Sequence, residues 1–207
     1  MDPKPDDPIL PFATSAAFDR WLAVHHRTAA VVWIRYAKKG SGEPSITMTE
    51  AVDVALCHGW IDGQSKSQGE RYYLQRFTPR RPKSNWSKIN RDRVARLIEE
   101  GRMRPAGLAE VDRAKADGRW DAAYDSPRTA VVPDDLTRAL AQHPTARAAF
   151  AKLNATERYA ILHRLQIAKQ PQTRARQIEA LVTRLEAAAA QHPAKRKATG
   201  PVSRARR

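Results

Sequence analysis

Hydrophobic positions in this chain fall into short stripes whose spacing changes along the sequence. Phe18, Trp21 and Leu22 recur at i, i+3, i+4 behind Thr14 and Ser15, which predicts an amphipathic helix with a hydroxyl cap. Val31-Val-Trp-Ile-Arg-Tyr36 is β-branched and aromatic, and the turn material Lys39 to Pro44 bounds it, so it predicts a strand. Thr47-Met-Thr-Glu50 has the spacing of a capping box and opens a helix through about His58, closed by Gly59. Trp60-Ile-Asp-Gly63 and Arg71 to Phe77 then predict two strands around the polar stretch Gln64 to Glu70.

Thr78-Pro-Arg-Arg-Pro82 cannot be helical and reads as a rigid extended loop. From Ser87 a helix is predicted to Glu100, stopped by Gly101 and burying Val94, Leu97 and Ile98; Pro105 and Gly118 frame the next. After Asp125 the composition turns Ala-rich and helical. Pro133 starts one helix, Asn154-Ala-Thr-Glu157 caps another carrying Ile161, Leu162 and Leu165, and Ile178, Leu181, Val182 and Leu185 form the last stripe. Pro144 and Pro171 mark breaks. The predicted fold class is α+β and mostly helical. An extended Pro-rich arm (1–12), whose four prolines leave no ladder intact, precedes a small antiparallel sheet packed by helices (13–125). A helical C-terminal unit (126–190) and a disordered basic tail (191–207) follow.

Charge sharpens the picture because it is clustered. The chain carries +15, of which residues 71–104 hold +8 and residues 195–207 hold +6, while residues 1–70 sum to −2. Solubility alone requires no clustering, so the placement points to a polyanion, with nucleic acid among the choices, or to a small anionic ligand. No apolar run long enough to span a membrane occurs, and the acidic, Pro-rich start lacks the apolar segment of a secretory signal, so a cytoplasmic location is expected. Cys57 stands alone, which excludes an internal disulfide; one Cys and six scattered His argue against a structural zinc site. No metal and no cofactor is expected. The oligomeric state is left open.

Several longer motifs carry a resemblance. The helix from Thr47, Trp60-Ile-Asp-Gly, Phe77-Thr-Pro-Arg-Arg-Pro, Ser84-Asn-Trp-Ser-Lys-Ile-Asn and Gly101-Arg-Met-Arg-Pro-Ala-Gly, with the later Ile167-Ala-Lys-Gln-Pro-Gln-Thr-Arg-Ala-Arg-Gln-Ile, resemble the YdeI/OmpD-associated family. These are small bacterial proteins also called bacteriocin-protection proteins. The resemblance covers roughly residues 12 to 188, leaving out the arm and the tail. It implies a link to stress and to resistance against antimicrobial peptides or bacteriocins. It assigns no activity, cofactor or catalytic residue.

The residues themselves suggest an anion cradle. Arg80 and Arg81 sit between two prolines that restrict the backbone, Arg76, Lys83, Lys88 and Arg91 add charge, and Thr78, Ser84, Ser87 and Asn90 add neutral donors beside a helix start. Trp86 is the aromatic best placed for exposure and for stacking on a base, whereas Tyr73 and Phe77 read as core. The structural alternative pairs these arginines with helix ends or with Asp62. Asp62, one carboxylate in an apolar strand, reads either as a turn acceptor or as a general acid or base. Cys57 and His58 are adjacent on a helix and point about 100° apart, so they form no nucleophile–base pair. Three functions follow: a non-enzymatic binder of an anionic partner, an enzyme on a small phosphorylated or carboxylated substrate with an Arg clamp and Asp62, or a docking module using Leu181, Val182 and Leu185.

Overall fold

The computed structural model describes residues 2–191 and divides into two compact units, Met1–Ser126 and Pro127–Arg207. The predicted tail lies, but for Gln191, outside the described residues. The fold is α+β and mostly helical.

The first unit is built on a four-stranded mixed sheet in the order β1-β2-β4-β3. Strand β1 (Ile9–Pro11) runs parallel to β2 (Val32–Ala37), which is antiparallel to β4 (Tyr72–Pro79), itself antiparallel to β3 (Trp60–Gln68). Two expectations change here. The Pro-rich arm does make a ladder, because prolines are tolerated on an edge strand, and Asp7 accepts a hydrogen bond from the Trp33 indole at 3.1 Å. The stretch Gln64 to Gln68, read as a connection, continues β3. As an edge strand with exposed side chains it has no core face for an alternating pattern to mark. An irregularity between Asp62 and Ser65 breaks its register, and the Gln75 amide donates to Gly63 O there at 2.6 Å.

Helices cover one face of this sheet. Thr14 caps α1 (Ser15–His25), which buries Phe18 and Leu22. The capping box of Thr47 and Glu50 opens α2 (Met48–Cys57), whose residues from Ala51 to Cys57 are all buried. Ser87 caps α3 (Lys88–Glu99), which buries Val94 and Leu97 but leaves Ile98 44% exposed, against expectation. That helix packs against α2, with Arg93 and Arg96 pairing with buried Asp53 at 3.0 and 2.5 Å. Pro105 starts α4 (Pro105–Ala116), which lies so close to the end of α2 that a Cβ on Gly107 would stand 2.3 Å from Cys57 O.

The second unit is a cluster of helices: α5 (Asp134–Gln142), α6 (Pro144–Ala151), α7 (Ala155–Gln166) and α8 (Pro171–Gln191). Pro144 and Pro171 begin helices, as their missing N–H groups allow. Asn154 and Glu157 form the capping box of α7. Leu136, Leu140, Phe150, Leu162, Leu165 and the α8 stripe form one core. Because Leu181, Val182 and Leu185 are buried in it, they are not an exposed docking face.

Candidate anion site

The loop between β4 and α3 places Arg80 inside and Arg81 outside. The Arg80 amide donates to Gly59 O at 2.9 Å, which ties the loop to the α2–β3 turn and directs the side chain into the unit. Its guanidinium carbon lies 3.6 Å from the centre of the Trp86 ring, and Nη1 donates to Asn85 O at 3.3 Å and approaches Ser84 Oγ at 3.4 Å. Trp86 is 2% exposed and packs edge-on against Trp120 at 5.0 Å. It is therefore covered, and the expected stacking platform for a nucleic-acid base is not available: the cation occupies one ring face and core residues enclose the rest.

Arg119, which the sequence reading passed over, completes the corner. It is 3% exposed, its Nε pairs with Asp117 at 2.7 Å, and its Nη1 donates to Ser84 O at 2.7 Å. Both buried guanidinium groups thus converge on Ser84. The available signal was the run Gly118-Arg119-Trp120, a second basic–aromatic pair after a helix stop. Three donors at this corner, Arg80 Nε, Trp86 Nε1 and Arg119 Nη2, have no hydrogen-bond partner among the described residues. Burial lowers the pKa of Arg80 to about 10, so it remains charged at neutral pH.

The other predicted residues are distributed around this corner. Arg81 and Lys83 are exposed. Lys88 pairs with Asp125 at 2.7 Å, and Arg91 donates to Trp120 O at 2.9 Å while lying over its ring. Ser87 is used by the α3 cap, bonding the Asn90 amide at 3.2 Å. Asn90 and Thr78 are half-buried. Arg76 follows the alternation of β4 to the face opposite Phe77, away from the corner. Asp62 stands across from Phe77 in register, on the helix-covered face. Burial raises its pKa, against the pull of its own amide and of Arg80 and Arg93. Among the described residues no ion pair joins it to an arginine, so it neither clamps Arg80 nor orients Arg76. On the same face the Tyr36 hydroxyl is buried without a partner.

A second polar cluster joins α1 to α2. His58 Nε2 lies 2.7 Å from Asp19 Oδ1, and Arg104 reaches Asp19 Oδ2 at 3.1 Å. A carboxylate only accepts, so the neutral imidazole donates from Nε2, and burial holds its pKa below the usual value. Cys57 lines a neighbouring cleft of about 290 Å³, with its pKa raised by burial to about 11. It is a thiol at neutral pH, and His58 is turned to Asp19 rather than to it. Among the described residues no three His, Cys, Asp or Glu gather as a metal site, and no helix is long and apolar enough to cross a membrane.

Residues 129–188 match the family described as Bacteriocin-protection, YdeI or OmpD-Associated. The chain carries a YdeI/OmpD-associated segment. It coincides with α5 to α8, and the Ile167–Ile178 motif lies within it. The motifs from Thr47 to Gly107 lie instead in residues 10–110, which match a domain of unknown function (DUF8412). No curated protein and no solved structure matches the chain. The YdeI/OmpD-associated segment therefore contains none of the residues of the Arg80 corner.

Proposed function

We propose that the first unit is a non-enzymatic binder of an anionic group, a phosphate or carboxylate, held by Arg80, Arg119 and the Trp86 indole N–H. The protein would use it in protection against bacteriocins, the process in the matched family's description, and by extension in stress or resistance to antimicrobial peptides. The supporting observation is the set of three buried donors without acceptors. Leaving such a donor unsatisfied costs about 1–3 kcal/mol, more for a charged group, and one anion can accept from several donors. Exposed Arg81 and Lys83 would draw anions to the corner and contact the rest of a polyanion. A nucleic acid would then be held through its phosphates, without base stacking on Trp86.

The test is a titration of the full chain with inorganic phosphate and with acetate, followed by NMR of the arginine Nε–H and tryptophan indole N–H signals. Saturable shifts of the Arg80 and Trp86 signals, abolished in Arg80→Met, are expected. If those signals do not move while exposed arginines do, the corner binds nothing and the reading fails. Anisotropy with single-stranded and duplex DNA across a salt series separates the polyanion from the small anion. Each phosphate engaged on duplex DNA steepens the slope of log K against log salt by roughly 0.9.

Asp62 supports a second reading, an enzyme acting on a small phosphorylated or carboxylated substrate. Its raised pKa and its place on the inner face suit a group that exchanges a proton. Substrate turnover that survives Asp62→Asn would remove that reading and leave the binder.

A further inference from the structure

We infer that the YdeI/OmpD-associated segment docks an amphipathic helix with acidic flanks in a groove between α7 and α8. The groove has a volume of about 560 Å³ and an apolar floor of Leu153, Ile161, Leu165, Leu181 and Leu185. Leu181 and Leu185 belong to the buried core stripe of α8, and the groove opens above them. Its α8 wall is the neighbouring row Gln177, Ala180, Arg184 and Ala188, which runs about 16 Å along the helix, the length of three turns. Small side chains at Ala160, Ala180 and Ala188 leave room for a third helix to approach closely.

Charge and hydrogen bonding choose the occupant. Arg164 on one wall and Arg184 on the other have no carboxylate partner among the described residues, and Glu157 is the one acid in the lining. Glutamates or aspartates flanking an apolar stripe would meet both arginines. Gln177 Oε1 is buried without a partner, and it needs a donor such as a free amide N–H in the first turn of a helix. A hydrocarbon chain with one acidic head supplies neither a donor for Gln177 nor a second charge. The chain's own end, Lys195 to Arg207, is basic and has the wrong sign for the two arginines.

The test is selection of displayed helical peptides on the full chain, followed by anisotropy with the enriched sequences. The expected result is apolar residues at i, i+3, i+4, i+7 flanked by Asp and Glu. Their affinity should fall by about tenfold or more in Arg164→Glu/Arg184→Glu and in Ala180→Trp, which fills the groove at an exposed position while the circular dichroism stays unchanged. Equal binding to the Ala180→Trp chain would assign capture to basic surface elsewhere and overturn the inference. So would enrichment without acidic flanks, displacement of the peptides by a fatty acid that binds more tightly, or self-association in sedimentation that Ala180→Trp abolishes. None of these outcomes depends on the Arg80 corner.

Discussion

At Arg80 the side chain forms a cation–π contact, two weak hydrogen bonds and no ion pair, although it is 5% exposed. A buried charge without a carboxylate is a poor source of stability, and apolar replacements of buried ions are often neutral or stabilising. Arg80→Met should therefore keep the melting temperature of the ligand-free protein or raise it, while removing the stabilisation that phosphate confers on the wild type. A large loss of stability without ligand would make Arg80 a structural residue. Asp62 gives a prediction with a pH signature. Its folded pKa lies above the unfolded value, so between the two the native state binds more protons and stability falls as pH rises. Asp62→Asn should raise stability at pH 7, and the gain should vanish below the unfolded pKa near 4, as thermal melts across pH would show. Part of this corner was legible in the sequence, because Arg80, Ser84, Trp86 and Ser87 stand within one run, whereas Arg119 comes from a distant segment. Which arginine turns inward was not, because Arg80 and Arg81 share the same proline frame. The hydrogen bond from the Arg80 amide to Gly59 O decides it.

Caps and stops set the helices, and close approach sets how they pack. Thr47 with Glu50, Ser87, and Asn154 with Glu157 all cap where their spacing predicts. Gly107 shows what such signals omit. It lies within α4 and would read as a weak helix position, yet its missing side chain lets α4 lie against Leu56 O and Cys57 O. Gly107→Ala should destabilise the first unit by about 1–3 kcal/mol, the usual cost of overpacking, although alanine favours helix. Chemical denaturation followed by tryptophan fluorescence would measure it. Ile98 is the counterpart error. Its spacing matches the buried stripe, but α3 buries only Val94 and Leu97, while Arg93 and Arg96 of the same helix pair with Asp53. The polar stretch joined a strand for another tertiary reason: β4 offers backbone partners to Ser65 through Gln68.

Across the whole molecule the two units have separate cores. All five tryptophans, Trp21, Trp33, Trp60, Trp86 and Trp120, belong to Met1–Ser126. Tryptophan fluorescence therefore reports the first unit, whereas far-ultraviolet circular dichroism reports both. Leu181→Ala, in the second core, should cost about 2–5 kcal/mol and move only the part of the dichroism transition that fluorescence does not follow. If both signals shift together, the units unfold as one. What the sequence determined by itself is local or additive: capped helices, the α+β class and the clustering of charge. These follow from spacing and composition over a few turns. The tertiary structure alone decided which charges are buried, that Trp86 is covered, that Arg119 joins Arg80 at Ser84, and that α7 and α8 leave a groove. Those features depend on segments far apart in the chain meeting at one point, and no local pattern of side chains records that meeting.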